Sequence, residues 1–310
     1  MTSEVESLVD RALAGERPAI AKLLSLVEDG GPDVGTAMHL LYPHTGGAYT
    51  IGITGAPGAG KSTLTEQIVA RARRDSQRVG VLAIDPSSPF SGGALLGDRV
   101  RMQSHATDPD VFIRSMATRG HLGGISLATP EAVRVLDAVG KDLVVVETVG
   151  VGQAEVEITD ACDTTIVVVN PGWGDAVQAA KAGLMEIADV FVVNKADRDG
   201  ARQTVRELRQ MLELSDADWK PEIVQTVATK SEGIDELWTA VEKHRAYQDE
   251  HGLMETRRRR RIEREIKEIV AQRFRDRVDE ESDALAELTR RVQNRELDPY
   301  AAADRLLDTL

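Results

Sequence analysis

Cysteine is nearly absent from this 310-residue chain. The single thiol, Cys162, excludes an internal disulfide framework and any metal site built from clustered cysteines. On an apolar stretch, it reads as a small buried hydrophobe. Histidine is also scarce and scattered, at His39, His44, His105, His121, His244 and His251, so the Cys/His clusters of metal-delivering proteins are missing. Positive charge is in deficit: 38 Lys and Arg against 51 Asp and Glu leave a formal net charge of −13. That balance disfavours nonspecific binding to nucleic acid or to an anionic membrane, and it favours a protein or small-molecule partner. Long apolar runs are missing too. None approaches the roughly 20 residues of a membrane span, and no apolar stretch follows a basic start. A soluble protein of the reducing cytoplasm is expected.

What is present is length enough for one substantial core with appendages. Val5 to Val27 carries Leu8, Leu13, Ile20, Leu23, Leu24 and Val27 at helical spacing, broken at Gly15 and Pro18 and ending at Gly30-Gly31-Pro32. From Tyr49 short apolar runs alternate with helical stretches: Tyr49 to Thr54, Val79 to Asp85, Val111 to Ser115, Leu143 to Thr148, Thr165 to Asn170, Val190 to Asn194 and Glu222 to Val227. Such alternation predicts an α/β fold, a mainly parallel sheet flanked by helices, with ligand chemistry at the carboxyl ends of the strands. After Tyr247 charged helix formers take over. Ile262, Ile266, Ile269, Val270 and Phe274 form one stripe, and Leu285, Leu288 and Val292 suggest another helix. These stripes need a partner surface, on the same chain or on a second copy. The expected organisation is a helical segment 1–48, a nucleotide domain 49–246 and a helical dimerisation region 247–310. Arg257 to Arg261 is read as a solvated helix start, since Glu263, Glu265 and Glu268 follow at pairing distance.

The most specific pattern is Gly55-Ala56-Pro57-Gly58-Ala59-Gly60-Lys61-Ser62-Thr63, placed between an apolar strand and a helix. It has the form of a P-loop, whose backbone N–H groups curl around phosphates. Lys61 is placed to reach the β/γ oxygens, and the Ser62 hydroxyl to ligate Mg²⁺. Asn194-Lys195-Ala196-Asp197, closing a later strand, points to guanine: a carboxylate at Asp197 accepts from both the ring N–H and the exocyclic amine, which adenine does not offer. Asn194 is expected to tie this loop to the P-loop, and the Lys195 stem to lie along the base. Thr226 to Lys230 resembles the final base-contacting loop of GTPases, with the Ala228 N–H directed to guanine O6. Glu147-Thr-Val-Gly150 stands where many GTPases carry Asp-x-x-Gly. Its carboxylate, with Asp85 and Asp98, completes the candidate Mg²⁺ and catalytic set. Mg²⁺ takes one or two protein carboxylates, so at least one of the three is left to orient the attacking water, and Asp98 is favoured.

Over nearly its whole length the chain resembles the MeaB/ArgK family of methylmalonyl-CoA mutase-associated GTPases, which includes the methylmalonic aciduria type A protein. The resemblance rests on Gly55 to Ser62, Asp85-Pro-Ser-Ser88, Gly92-Gly93 with Leu96-Gly-Asp98, Thr118-Arg-Gly-His-Leu-Gly-Gly124, Glu147-Thr-Val-Gly-Val-Gly-Gln153 and Asn194 to Asp197. Gly174-Asp175 with Gln178 and Lys181 looks like that family's additional mobile segment. The resemblance implies a GTP- and GDP-binding homodimer held by carboxyl-terminal helical arms. It implies a chaperone that uses GTP to gate adenosylcobalamin delivery to an acyl-CoA mutase and to protect that enzyme. Arg119-Gly-His121 echoes a cobalamin-binding pattern but lacks its aspartate, so no cobalamin ligand is read there. An ATP-using P-loop kinase is countered by Asn194 to Asp197, a nickel-inserting GTPase by the missing Cys/His clusters, and a non-hydrolysing scaffold is separable only by assay.

Overall fold

A computed structural model of the chain describes residues 2–85, 102–105, 107–117, 128–148, 158, 161–172, 186–280 and 282–309. Two compact units divide them, 1–257 and 258–310.

The first unit is built on seven strands: β1 (Tyr49–Gly55), β2 (Val79–Asp85), β3 (Val111–Ala117), β4 (Leu143–Thr148), β5 (Thr164–Val169), β6 (Val190–Asn194) and β7 (Glu222–Thr226). Their order is β3-β2-β4-β1-β5-β6-β7, and every pairing is parallel. Every residue of β1, β4, β5 and β6 is buried, which is why these segments read as unbroken apolar runs rather than alternating ones. The α/β architecture expected from the alternation is the one found. β1 lies between β4 and β5, so the chain leaves the sheet at a switch point when it passes from β1 into the P-loop.

Helices cover both faces. On one side α4 (Lys61–Arg74) and α7 (Ile234–Glu250) bring Leu64, Ile68, Leu237, Trp238 and Val241 onto Ile51, Ile53, Val145, Ile166 and Val168. On the other, α1 (Thr2–Leu13), α2 (Arg17–Asp29) and α5 (Ala128–Ala138) set Leu8, Val9, Leu23, Leu24 and Leu136 on Leu82, Ile84, Phe112 and Val144. Cys162 is buried in that layer, as expected. A helix α6 (Ala201–Glu213) covers Val167, Val169, Phe191 and Val193. Burial on this scale, at about 25 cal/mol per Å² of apolar surface, is the main stabilising contribution. One helix was not expected. Gly30-Gly31-Pro32 looked like a terminus, but Pro32 is the first residue of α3 (Pro32–Leu41), where its missing N–H costs nothing.

The second unit consists of α8 (Leu253–Glu280) beyond residue 257, α9 (Ser282–Gln293) and α10 (Pro299–Leu307). The sequence reading missed α10. Its signal is Asp298-Pro299: the Asp298 carboxylate accepts from the Tyr300 and Ala301 N–H groups at 2.9 and 3.1 Å, capping a helix that starts with proline.

Arg257 corrects the reading of Arg257 to Arg261 as a purely solvated start. It belongs to the first unit, where its guanidinium grips Asp189 through two bonds of 2.9 and 3.0 Å and donates to the Asp163 carbonyl at 2.6 Å. Asp189 precedes β6 and is buried. Its carboxylate also accepts from the Thr165 N–H at 2.8 Å and meets His244 Nε2 at 3.2 Å. His244 Nδ1 meets the Thr164 hydroxyl at 2.7 Å, which in turn bonds the Tyr49 hydroxyl. Asp163, preceding β5, accepts from the Thr50 N–H in the same manner at 3.0 Å. These contacts join the amino-terminal ends of β1, β5 and β6 to α7 and to the start of α8. Burial alone would raise the Asp189 pKa. The His244 bond and Arg257 together outweigh it, so the carboxyl is held below its ordinary value.

A carboxyl whose folded pKa is depressed contributes stability that is present above its unfolded pKa of about 3.9 and lost as pH falls through the folded value. Thermal melts between about pH 3 and pH 7 should show this acid loss. Asp189→Asn should flatten that part of the profile. Breaking a buried pair costs roughly 3–5 kcal/mol, and since the Arg257 side chain keeps 31% exposure, Arg257→Ala should fall in the lower part of that range. A melting temperature unchanged by Arg257→Ala would mean that the network is not a tie.

Candidate nucleotide-binding site

The strand ends place three pieces of backbone side by side. Parallel register sets Ile53 of β1 against Glu147 of β4, and Gly55 against Val168 of β5. Gly55 sits at φ +134°, and a Cβ there would run into the Val168 carbonyl oxygen. Only glycine lets the chain turn away from β1 so close to β5. Gly60, at φ +95°, ends the loop and leads into α4, and a Cβ there would strike Asn194 Nδ2. Both glycines are thus set by backbone or side-chain proximity as well as by conformation.

Lys61 and Ser62, the first residues of α4, are buried. The Lys61 amine donates to the carbonyl oxygens of Gly55 and Ala56 at 2.7 and 3.1 Å, so it lies folded across the loop it belongs to. The Ser62 hydroxyl donates to Glu147 Oε1 at 2.6 Å, and the Thr65 hydroxyl, one turn further along α4, donates to Oε2 at 2.9 Å. Both Glu147 oxygens are therefore held from α4. Thr65 was not among the expected site residues, although its spacing of three from Ser62 puts both hydroxyls on one helix face. Ala56, Pro57, Gly58 and Ala59 form the loop between, with Pro57 and Gly58 exposed and Ala59 buried. Thr63 is half-buried on α4.

Asn194, at the carboxyl end of β6, is buried and bonds three ways. Its Nδ2 donates to the Ala59 carbonyl at 2.8 Å, while its Oδ1 accepts from the Thr226 hydroxyl at 3.1 Å and the Ala228 N–H at 3.2 Å. The expected tie between base loop and P-loop is present, extended to the loop after β7. The Ala228 amide, assigned to the base by sequence reading, is turned onto Asn194 in this arrangement. Lys195, at φ +57°, sends its amine to the Gly58 carbonyl at 2.6 Å. Asp197 is partly exposed, with Lys230 Nζ at 3.4 Å from its carboxylate. The loops after β1, β6 and β7 thus meet at Asn194.

Asp85 closes β2, two strands from β1, and nothing is described of its side chain. Asp98 lies outside the described residues. So do Gly92, Gly93, Thr118 to Gly124 with Arg119 and His121, Gly150 to Gln153, and Gly174 to Lys181. Among the described residues no group of three or more His, Cys, Asp and Glu side chains could hold a metal ion unaided. The oxygen donors of Ser62 and Glu147 nevertheless suit a hard divalent cation. A hydroxyl that donates its proton to a carboxylate keeps its lone pairs for such an ion, and the remaining positions would fall to phosphate oxygens and water. The donor set fits Mg²⁺ that arrives with a nucleotide.

The family model for "Methylmalonyl Co-A mutase-associated GTPase MeaB" matches residues 20–283. A protein of Pyrococcus horikoshii bearing the name "Putative GTPase PH0274" is 50% identical over 311 residues, covering 99% of this chain and 98% of its own. The mitochondrial methylmalonic aciduria type A homolog of Caenorhabditis elegans is 33% identical over 276 residues, covering 82% of this chain and 69% of its own. Among solved structures, one described as a LAO/AO transport system kinase superposes with a TM-score of 0.70 at 26% identity, covering 99% of this chain and 97% of that one.

Asn194→Ala would leave the Ala59 carbonyl, the Ala228 amide and the Thr226 hydroxyl without their shared partner. Leaving buried groups unsatisfied costs about 1–3 kcal/mol, so denaturant unfolding should show a loss of that size, together with weaker binding of GDP and GTP alike. Unchanged stability and affinity would mean that the loops are positioned without it.

Proposed function

The chain belongs to the MeaB family of methylmalonyl-CoA mutase-associated GTPases, and from this premise we propose that it is a Mg²⁺-dependent GTPase serving as chaperone to an adenosylcobalamin-dependent acyl-CoA mutase. In this reading it gates cofactor delivery and protects the mutase, with methylmalonyl-CoA mutase the partner that the family name indicates. The observation that supports the GTPase part is the bonding of Asn194 to Ala59 and Ala228, which joins the glycine-rich loop after β1 to the loops after β6 and β7.

In the proposed reaction the phosphates are bound by backbone N–H groups between Gly58 and Thr63, Pro57 having none to donate. Lys61 exchanges its two carbonyl acceptors for β/γ oxygens, which places a buried cation against the charge that develops as the γ-phosphoryl group leaves. Ser62 would hold Mg²⁺ directly, and Glu147, whose oxygens already accept from Ser62 and Thr65, would act on the water around it. Mg²⁺ supplies neutralisation of the phosphate charge. Asp197 reads the guanine edge, with Lys195 along the ring. Asp85 and Asp98 remain candidates for the metal shell, and Asp98 for orienting the attacking water.

A homodimer through the helices beyond about residue 247 is part of the proposal. Ile262, Ile266, Val270 and Phe274 recur every four residues along α8 and stay 40–61% exposed in the single chain, a stripe suited to a second copy.

Calorimetric titration should show GTP and GDP preferred over ATP by up to about 10⁴-fold, as expected of a site with a polar base reader. Equal affinity for ATP would reject the base assignment. Lys61→Ala should lower hydrolysis by about 10²-fold or more, and unchanged turnover would reject the P-loop role. Purified mutase should accelerate the wild-type rate; no acceleration by either a methylmalonyl-CoA or an isobutyryl-CoA mutase would count against the chaperone. For the dimer, Ile266→Asp with Val270→Asp should halve the mass seen by light scattering, and a retained dimer would place the interface elsewhere.

A further inference from the structure

Helix α6 starts four residues after Asp197 and buries Ala201, Thr204, Val205, Leu208 and Leu212 on one side. A 3.6-residue period then sets Arg202, Arg206 and Arg209 within a roughly 60° sector flanking that buried face. Arg198 lies in the turn just before. All four are exposed. Among the described residues none of their side chains forms an ion pair or hydrogen bond. Elsewhere on the same unit several exposed or half-buried arginines have carboxylate partners, Arg11 with Glu16, Arg71 with Asp75, Arg73 with Asp108 and Arg74 with Asp235, while Arg17 bonds backbone carbonyls and Arg245 lies over the Tyr49 ring. Three acids lie beside the four arginines, leaving the strip a small positive excess, and the exposed Asp199 next to Arg198 pairs with none of them. Glu213 stands one turn from Arg209 without pairing to it, and Glu207 accepts from Gln203. In a chain of net charge −13 this is a local cationic surface.

The strip ends at a cleft of about 250 Å³ lined by Arg209, Leu212, Glu213, Lys220, Pro221 and Ile223. Leu214, next in the chain, is 86% exposed. Cations leading to a cleft whose walls mix Arg209, Glu213 and Lys220 with Leu212, Pro221 and Ile223 suit an acidic protein face, since carboxylates spaced by one helical turn would match the arginines. A polyphosphate strand suits it less. The rest of the molecule is acidic, and the cleft offers no aromatic ring on which a base could stack.

Its position also connects it to the nucleotide. Gly200, which precedes α6, faces the chain just past the end of β5: a Cβ placed on it would sit 3.7 Å from the Gly172 nitrogen and from the Pro171 Cβ. A body resting on α6 therefore bears on the base loop at Asn194 to Asp197 and on the exit of β5 together. We propose that Arg198, Arg202, Arg206 and Arg209 form the docking face for an acidic surface of the partner mutase. The identity of the partner rests on the proposed function; the chemistry of the face does not.

The test uses full-length Arg202→Glu/Arg206→Glu, with Arg202→Lys/Arg206→Lys as a charge-conserving control. GTP affinity and intrinsic hydrolysis should stay at wild-type values, since neither residue touches the nucleotide loops. Association with purified mutase should slow by about tenfold or more at about 50 mM salt and lose most of its salt dependence, while the lysine variant stays near wild type. Wild-type association in the glutamate variant would overturn the proposal. If the wild type binds no mutase, the partner reading fails and poly-glutamate becomes the probe. Salt-sensitive binding by wild type that is lost in the glutamate variant would still support an acidic-protein face. Absence of that binding, or tighter binding of oligo-thymidylate of equal charge, would overturn it.

Discussion

Glu147 is the carboxylate on which the placement of α4 and the loop it follows depends. It belongs to a strand, and both of its oxygens are taken by hydroxyls of α4, so the helix that carries the phosphate loop is fixed to the sheet at its first turn. A buried carboxylate with its acceptors unfilled would cost several kcal/mol. Two short charge-assisted bonds remove that cost and make the α4 position specific rather than merely apolar. The same arrangement keeps Ser62 beside Glu147, as a cation shared with phosphate would require.

The opposite end of the sheet is held by different chemistry. Asp163 and Asp189 stand immediately before β5 and β6, and each accepts from a strand N–H, at Thr50 and Thr165. Each thereby fills a backbone donor that the ladder leaves over at the strand start. Arg257 then joins both positions from α8, and His244 from α7 reaches Asp189. The nucleotide end consists of loops held by single side chains such as Asn194. The far end consists of strand starts held by a buried ionic network. The loops have local bonds, such as those of the Lys61 amine to two carbonyls, which the proposed nucleotide would replace with bonds to phosphate. The network at the far end has no such alternative.

Much of the fold was legible because parallel strands buried on both faces must be uniformly apolar. Leu143 to Thr148 and Val190 to Asn194 were bounded to the residue by that rule alone. The P-loop was legible because phosphate-cradling backbone demands glycine at Gly55 and Gly60, and the structure adds why: Val168 and Asn194 occupy the space a Cβ would need. α3 and α10 were missed since each begins with a proline that looks like punctuation when read alone. Arg257 was misread because five consecutive arginines look alike in a sequence, and only the packing of α8 against Asp189 separates the first from the rest.

By itself, the sequence determined which residue types could serve: a glycine-rich turn for phosphate, a carboxylate after β6 for a base, hydroxyls at the head of α4, and a family to which these patterns belong. Those are properties of local chain chemistry, carried by spacing along a strand or helix. Only the tertiary structure decided who meets whom. Asn194 and Ala59 are far apart in sequence, as are Ser62 and Glu147, and Arg257 and Asp189, and their contacts exist because parallel register aligns the strand ends and fixes the helices that follow. The unpaired arginines of α6 belong to the same class. A charge in a sequence is indifferent to its neighbours, and whether it is neutralised depends on what the fold brings within reach.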